Sequence, residues 1–375
     1  REPACKKPNQ GNIEAQSVAM RRFEAMLAAE GVQILKLWFH LSSDAQRARA
    51  KRLLASPETS WQVSPVDLKV YKKYDRIRNS GQVVINHTDS GHAPWVVIPS
   101  ADENMRAART AEAVLAAMRQ QTVPRIPPTF VAHTGPARIL DRLGQLDYDA
   151  KLDREDYESE LGLLQGRLAR AARSKKFQER SLVLVFEGQD AAGKGGAIRR
   201  TTHALDARQS DITPVAAPNS YELSRPYLWR FWRHVPRRGR IAIFDRSWYG
   251  RVLVERVEKI TPPAHWRRAY AEINDFEAQL AGSGALVLKF WLAITADVQL
   301  ERFKDREKSP FKNFKITPDD WRNRDKWKEY AAATNEMLAR TDVKHAPWHL
   351  VSANDKRHAR LQVLRHIVET LENQL

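Results

Sequence analysis

The segment that decides the fold reads Leu182-Val183-Leu184-Val185-Phe186-Glu187 followed by Gly188-Gln189-Asp190-Ala191-Ala192-Gly193-Lys194-Gly195. The apolar run is typical of a buried strand, and the spacing G-x-x-x-x-G-K is that of a Walker A loop. Glycines let backbone N–H groups turn toward a phosphate, and the helix that follows adds its positive end. Lys194 then neutralises phosphate oxygens. A glycine turn with a surface lysine is the alternative, and the order strand, turn, helix favours the phosphate site.

One position departs from the Walker pattern, because Gly195 stands where serine or threonine would hold a metal ion. Asp190 inside the loop is the nearest carboxylate able to do so. Asp245 ends a second apolar run, 241–245, which reads as a Walker B strand. Two aspartates with phosphate oxygens predict a Mg²⁺ site, although Asp245 can instead cap a helix. Arg246 either clamps a phosphate through its bidentate geometry or pairs with a structural carboxylate.

Apolar strand candidates alternate with helical stretches across the second half of the chain, which predicts an α/β fold with a doubly wound parallel sheet. After a polar helix at 153–175, the predicted strands are 182–187, 212–216, 241–245, 286–292 and 348–351. The predicted helices are 194–207, 224–234, 264–281, 296–307, 318–340 and 355–373. Ligands of such sheets bind beyond the carboxyl ends of the strands, where Asp190 and Asp245 both fall.

The chain contains an internal repeat. With a shift of 253 residues, 23–95 aligns on 276–348 without a gap, with 24 identities in 73 positions. Fixed-period self-similarity marks a duplicated architecture. The expected organisation is a partial, non-catalytic first copy at 1–120, a proline-rich linker at 121–150 and a complete domain at 151–375. Arg1 corresponds to Val254 in this register, so we expect the natural chain to continue upstream for about a hundred residues.

Segment 302–328 carries ten basic residues against five acidic ones. The basic residues are Arg302, Lys304, Arg306, Lys308, Lys312, Lys315, Arg322, Arg324, Lys326 and Lys328. Such a segment is either a helical lid that closes over an anion or a solvated face. The repeat favours the lid, because the first copy replaces part of the charge pattern: Leu53, Ala55, Thr59 and Gln62 stand for Arg306, Lys308, Lys312 and Lys315.

A second basic stretch, 225–240, interleaves six arginines with aromatic residues. The aromatics can stack a nucleobase, but helical spacing favours packing of Leu228, Phe231, Trp232 and Val235 in the core.

Composition limits the class of partner. The chain has 375 residues and a net charge of +17, which favours a polyanionic partner such as a phosphate polymer, nucleic acid or an acidic membrane. The single cysteine fits a reducing compartment, and we expect a cytoplasmic protein. No run of about 18 apolar residues is present, so no membrane span is expected. None of the eleven histidines has ligand spacing with cysteine, so zinc is not expected.

The motifs resemble those of the polyphosphate kinase 2 family, from about residue 153 to the C-terminus. The resemblance rests on three segments: Glu187 to Gly196, Asp245-Arg246-Ser247-Trp248-Tyr249, and the lid with Arg302, Arg306, Pro310, Lys312 and Lys315. The duplication resembles the fused two-domain members. The resemblance implies a P-loop kinase core with a helical lid at about 302–328. It also implies that Asp190 and Asp245 hold Mg²⁺, and that phosphate is contacted by Gly188, Gly193, Lys194, Gly195, Arg246, Arg302, Arg306, Lys312 and Lys315.

Transfer of the terminal phosphoryl group of inorganic polyphosphate to AMP, giving ADP, is the leading functional hypothesis. Its catalytic residues would be Asp190, Lys194, Asp245 and Arg246. The acceptor phosphate is already ionised, so alignment and charge neutralisation suffice without a strong base. The alternatives are ADP or GDP as the acceptor, an ATP donor, or a non-catalytic polyanion- or RNA-binding module. Nucleic acid is not the expected partner, and homo-oligomer formation is left open.

Overall fold

The computed structural model describes residues 10–119, 139–311 and 313–375, with backbone alone at 10–12 and 315. Its contacts divide the chain into two compact units, 1–129 and 130–375. The predicted linker at 121–150 stays a prediction, since 120–138 lie outside the described residues. Among the described helices, none combines the length and apolar character needed to cross a bilayer.

Between residues 10 and 119, the described part of the first unit, the structure has five α-helices and two parallel strands. In chain order its elements are α1 (Gln10–Ala29), β1 (Lys36–His40), α2 (Ser43–Leu54), α3 (Pro65–Tyr71), α4 (Tyr74–Thr88), β2 (Trp95–Pro99) and α5 (Glu103–Arg119). Strands β1 and β2 pair in parallel with Lys36 opposite Trp95. Parallel pairing requires a crossover, which α2, α3 and α4 provide.

The second unit contains a five-stranded parallel sheet of order β4-β5-β3-β6-β7. Its strands are β3 (Ser181–Gly188), β4 (Ser210–Pro214), β5 (Ile241–Asp245), β6 (Ala285–Ala293) and β7 (Trp348–Ser352). The central strand β3 lies between β5 and β6, so the glycine-rich loop leaves the middle of the sheet. Leu182, Leu184 and Phe186 in β3 are fully buried, and each contributes about 1.5–3 kcal/mol through the hydrophobic effect.

Helices pack on both faces of this sheet, which confirms the predicted doubly wound architecture. The helices are α6 (Arg154–Arg173), α7 (Lys194–Thr202), α8 (Ser220–Leu223), α9 (Trp229–Trp232), α10 (Val254–Val257), α11 (Pro263–Gly282), α12 (Ala296–Lys308), α13 (Pro318–Asp325), α14 (Trp327–Thr341) and α15 (Lys356–Gln374). Helix α15 contacts α6 and α7 in one layer, and α11 contacts α14 in another. Leu168, Leu364 and Ile367 are fully buried in the core between α6, α15 and the sheet.

Three helix predictions were wrong in their extent. The predicted helix 194–207 ends at Thr202, the last residue of α7. Within 224–234 only the single turn α9 is helical, because Arg225 precedes Pro226 and a residue before proline avoids the helical region. Leu228 and Phe231 there are buried, which supports the core interpretation, whereas Trp232 and Val235 are only partly buried. The predicted helix 318–340 is two helices, because Lys326 leaves the helical conformation with φ −100° and ψ 29°.

The structure confirms the repeat down to individual pairings. Lys289 lies opposite Trp348 in the β6–β7 pair, as Lys36 lies opposite Trp95 in the β1–β2 pair. Both α3 and α13 begin with proline behind a capping box, formed by Ser64 and Asp67 in one copy and by Thr317 and Asp320 in the other. The shift of 253 residues that aligns the two sequences therefore also aligns their strands, their helix caps and the register of their strand pairs.

Candidate functional site

The glycine-rich loop follows β3 at the carboxyl edge of the sheet, and its backbone conformation explains its composition. Gly188 has φ +141° and lies so close to β6 that an added Cβ would stand 2.2 Å from the carbonyl oxygen of Leu292. Gly193 has φ +107° at the start of α7. Both positions require glycine. Ala191 also has a positive φ of 64°, and this costs roughly 1–2 kcal/mol.

Lys194 opens α7 and bends back over the loop. Its Nζ donates to the carbonyl oxygens of Gly188 at 2.7 Å and Gln189 at 3.2 Å. An ammonium group has three donors, so one remains for an anion. Burial lowers the pKa of Lys194, whereas the charges of Asp190, Asp245 and Glu187 act in the opposite direction.

Asp190 is held by two partners from different parts of the chain. Arg246 Nη2 donates to its Oδ1 at 2.9 Å, and Asn323 Nδ2 donates to its Oδ2 at 2.9 Å. Tyr330 Oη in turn donates to Asn323 Oδ1 at 3.1 Å, so the amide of Asn323 is itself oriented. The side chain of Asp190 is only 13% exposed, whereas that of Arg246 is 54% exposed. Helix α13 of the predicted lid is thus hydrogen-bonded directly to the phosphate loop.

Asp245 ends β5, the strand beside β3, and lies opposite Phe186 in the sheet register. Its carboxylate accepts no hydrogen bond from the described residues, which leaves both oxygens available as ligands. Each oxygen of Asp190 also keeps a lone pair beyond its one hydrogen bond. In the described part of the chain no three His, Cys, Asp or Glu side chains converge on one point. Two carboxylates suit Mg²⁺, which completes its shell with phosphate oxygens and water.

The carboxylate of Glu187 is buried near the end of β3, just before the phosphate loop. Ser247 Oγ donates to Glu187 Oε1 at 2.7 Å, and burial raises the pKa of Glu187. Arg246, the residue before Ser247, adopts a positive φ of 65°. This hydrogen bond ties the turn after β5 to the end of β3, and so fixes the backbone that carries Asp245 and Arg246.

Arg302 lies where the predicted role in phosphate binding does not fit. It is 7% exposed. One guanidinium nitrogen donates to Ala191 O at 2.9 Å, and the other donates to Ala353 O and Asn354 O, both at 2.7 Å. Because these carbonyls occupy its donors, Arg302 clamps the phosphate loop to the end of β7 instead of facing the ligand.

One open cleft of about 890 Å³ brings most of the predicted site together. Of the predicted residues it is lined by Asp190, Gly193, Lys194, Gly195, Asp245, Arg246 and Arg306. Lys312 lies outside the described residues, and only the backbone of Lys315 is described. Asn323, Arg199, Arg200 and Arg360 also line the cleft and were missed by the motif analysis.

A second, more enclosed pocket of about 110 Å³ adjoins this cleft and shares four residues with it: Asp190, Arg246, Val254 and Asn323. Its remaining wall includes aromatic and aliphatic side chains: Leu253, Trp291, Trp327, Tyr330 and Ala331. The indole N–H of Trp291 is buried there without a hydrogen-bond partner among the described residues. A pocket with an aromatic and aliphatic wall, next to an anion site, is suited to an aromatic heterocycle that carries a phosphate.

The family model for polyphosphate kinase 2 matches the chain twice, over residues 8–125 and 151–375. The two matched ranges correspond to the two copies of the repeat.

Several named proteins are similar to this chain over most of its length. A polyphosphate:AMP phosphotransferase of Pseudomonas aeruginosa is 50% identical over 358 residues, covering 94% of this chain and 72% of its own. One from Acinetobacter johnsonii is 44% identical over 354 residues, covering 94% and 71%. An NDP-polyphosphate phosphotransferase of Ruegeria pomeroyi is 36% identical over 229 residues, covering 61% and 67%.

Solved structures show the same likeness. A crystal structure of a polyphosphate kinase 2 from Pseudomonas aeruginosa superposes with a TM-score of 0.82 at 46% identity, covering 97% of this chain and 72% of that chain. One from Arthrobacter aurescens has a TM-score of 0.59 at 32% identity, covering 62% and 85%.

Proposed function

The chain belongs to the polyphosphate kinase 2 family, and we propose that its second unit transfers the terminal phosphoryl group of inorganic polyphosphate to AMP, giving ADP. One observation carries the proposal: Lys194, the two aspartates and Arg246 line a single cleft at the mouth of a glycine-rich loop. The relatives at 44–51% identity are named for this reaction.

The reaction exchanges one P–O bond for another. An oxygen of the AMP phosphate attacks the terminal phosphorus of the chain, and the bond from that phosphorus to its bridging oxygen breaks. The products are ADP and a polyphosphate shortened by one unit, and no proton has to move. Catalysis then consists of alignment and of cations facing the charge that develops on the transferred group.

The second unit supplies these cations from fixed positions. Lys194 is anchored on two loop carbonyls with one donor to spare, and Arg246 is held beside the loop by Asp190. We assign Asp190 and Asp245 to a divalent ion, which we propose is Mg²⁺. When bound, it would neutralise phosphate oxygens. Arg302 keeps the loop in place from below, so the anion nest is formed before the substrate arrives.

We assign the enclosed aromatic pocket to the nucleoside of AMP. Asp190 and Arg246 belong to its lining, so a nucleoside bound there would lie beside the phosphate loop. Tyr330 and Trp327 form the wall on the side of the lid.

ADP or GDP as acceptor is the second candidate, because relatives at 36–38% identity are named for NDP, ADP or GDP. A purely anion-binding module would gain nothing from two carboxylates at the nest, since they repel phosphate unless a metal ion intervenes.

A panel of donors and acceptors tests the proposal. Purified protein with Mg²⁺ should make ADP from AMP and polyphosphate, and chelation should stop it. Preferred synthesis of ATP from ADP would favour the second candidate. Absence of any metal-dependent nucleotide product would overturn the assignment to a phosphotransferase.

A further inference from the structure

A carboxylate outside the phosphate cleft connects two parts of the second unit. Glu258 directly follows α10, and its side chain is only 9% exposed. Among the described residues, three side chains from α13, α14 and the residue between them contact this carboxylate. Lys326 Nζ donates to Oε2 at 2.6 Å, Arg322 Nε lies 3.2 Å from Oε2, and Tyr330 Oη lies 3.4 Å from Oε1. We call these four residues the Glu258 cluster.

The Glu258 cluster lies where α13 meets α14. Arg322 belongs to α13, Tyr330 belongs to α14, and Lys326 is the residue between the two helices. Because Lys326 departs from helical dihedral angles, the angle between the helices depends on contacts with the rest of the unit. Glu258 supplies such a contact to both helices and to the residue that joins them.

The Glu258 cluster also spans the two walls of the enclosed pocket. One wall includes Leu253, just before α10, and the other includes Asn323, Trp327 and Tyr330. Glu258 ends the short segment that carries the first wall, and its partners belong to the segment that carries the second. In a pocket of about 110 Å³, a small separation of the walls changes the fit of a ligand. The Glu258 cluster therefore helps to set the width of the pocket.

A chain of hydrogen bonds leads from the Glu258 cluster to the phosphate loop. Tyr330 Oη donates to Asn323 Oδ1 at 3.1 Å, and Asn323 Nδ2 donates to Asp190 Oδ2 at 2.9 Å. Burial raises the pKa of Tyr330, and the charge of Glu258 raises it further, so the phenol keeps its single proton. The two cations of the cluster neutralise Glu258, which leaves this proton to Asn323. The wall that faces Asp190 is thus oriented from the same point.

The exposure of the four side chains shows what each loss would do. Lys326 and Arg322 are 37% and 46% exposed, whereas Glu258 is 9% exposed. Removing a cation leaves a carboxylate that is largely withdrawn from water with fewer partners, which is costly. Removing the carboxylate leaves two cations that water can solvate. Loss of the charge at Glu258 is therefore compatible with folding, and it releases α13 and α14.

The repeat separates the Glu258 cluster from the scaffold. The first copy preserves the two helices as α3 and α4. It also keeps positive charges, Lys69 and Lys73, at the positions of Arg322 and Lys326. The carboxylate, the phenol and the amide are replaced together, by Cys5, Ile77 and Val70 at the positions of Glu258, Tyr330 and Asn323. The two helices therefore do not require these three groups, which occur together in the copy that has the phosphate loop.

We propose that Glu258 is a positioning residue for the acceptor, because it fixes α13 and α14 against α10 and so sets the width of the nucleoside pocket. It acts through the walls of the pocket and not on the reacting atoms. This inference rests on the proposed function, which assigns the pocket to the nucleoside of AMP.

The test measures KM for AMP and for polyphosphate, together with the Kd of AMP from isothermal titration calorimetry. Glu258→Gln should raise KM and Kd for AMP about tenfold, because it removes the charged contacts that hold the walls together. KM for polyphosphate should be unchanged. Lys326→Met should weaken AMP binding in the same way, whereas Lys326→Arg, which keeps the charge, should bind AMP as the wild type does.

A double variant and a control make the test specific. Glu258→Gln combined with Lys326→Met should be no worse than either single change, since both remove one interaction. Glu329→Gln changes an exposed carboxylate of α14 that forms no ion pair within the described part of the chain, and it should retain wild-type affinity for AMP. Circular dichroism and thermal melting check folding. If Lys326→Met does not fold, Glu258→Gln and Lys326→Arg carry the test.

Three results would overturn the inference: an unchanged Kd of AMP in folded Glu258→Gln, an equal loss in Glu329→Gln, or a rise of KM for polyphosphate as large as that for AMP. A wild type that forms no ADP would instead refute the proposed function. The calorimetric Kd of AMP does not depend on turnover, so the two failures are distinguishable.

Discussion

Two lysines at corresponding positions of the repeat make the same bonds in different surroundings. Lys36 donates to Glu24 at 2.7 Å and to the carbonyl of Thr88 at 2.6 Å. Lys289 donates to Glu277 at 2.7 Å and to the carbonyl of Thr341 at 2.8 Å. The first pair is 12% and 17% exposed, and the second is fully buried. The repeat therefore preserves a structural node rather than a catalytic one.

Other corresponding positions differ in what they contact. Arg302 is buried against the phosphate loop, whereas its counterpart Arg49 is exposed. Asn323, which holds Asp190, is replaced in the first copy by Val70. We interpret a residue that is the same in both copies as structural. We interpret a polar residue of the second copy that the first copy lacks as part of the site.

The largest effect is expected at the phosphate loop. Lys194→Ala and Asp190→Asn should each lower kcat by about 10²–10³, because each removes stabilisation of transition-state charge. Lys73→Ala in the first copy is the control and should retain wild-type turnover. Steady-state ADP formation measures all three. Near-normal turnover in a folded Lys194→Ala protein would show that the second unit is not the catalytic one.

The two structural lysines should differ in their effect on the free energy of unfolding. Lys289→Met should cost about 3–5 kcal/mol, because it leaves the carboxylate of Glu277 buried and unpaired. Lys36→Met should cost about 1 kcal/mol, since water can reach Glu24. Equilibrium unfolding in guanidinium chloride, followed by tryptophan fluorescence, gives both values. Equal losses of unfolding free energy would mean that burial does not determine how much each lysine contributes to stability.

Asn323→Val, which installs the residue of the first copy, should lower kcat about tenfold by removing one neutral-to-charged hydrogen bond to Asp190. It should also raise the Mg²⁺ concentration needed for half-maximal rate, which a purely structural change would not do. Val70→Asn is the reciprocal control. An unchanged metal requirement in Asn323→Val would remove Asn323 from the site.

The smallest effect concerns acid stability. His349 lies 4.4 Å from His366, centroid to centroid, and burial lowers the pKa of His349 to about 4. The unfolded chain binds a proton below about pH 6.5. The folded state therefore loses stability as pH falls from there toward 4, by about 1–2 kcal/mol at pH 5. His349→Val, matching Val96 of the first copy, should flatten the dependence of melting temperature on pH. His203→Val, an exposed histidine, should not.

Much of the second unit could be predicted from its sequence, because apolar runs and the Walker spacing are local signals. The five strands lie within a few residues of their predicted bounds. Asp190, Lys194 and Asp245, predicted from the same local signals, line one cleft, and their roles stay predictions. The burial of Arg302 could not be predicted, because charge patterning does not distinguish a buried cation from an exposed one.

Residues brought to the site by tertiary structure were harder to find. Asn323 and Arg360 lie more than a hundred positions beyond the loop, on helices that fold back over it. No motif spans that distance. The signal that was available is the internal comparison, in which Asn323 aligns with Val70 and Arg306 with Leu53. Divergence between copies of one scaffold thus indicates function where a motif does not.

The close approach of Gly188 to β6 affects how mutational libraries of this enzyme should be interpreted. Any side chain there would collide with the backbone of Leu292, so every substitution would appear inactive in a selection. That loss would result from mispacking of two strands and not from a lost ligand contact. A selection that scores activity alone would therefore count Gly188 as a substrate contact by mistake. A parallel screen for folded protein would correct this error.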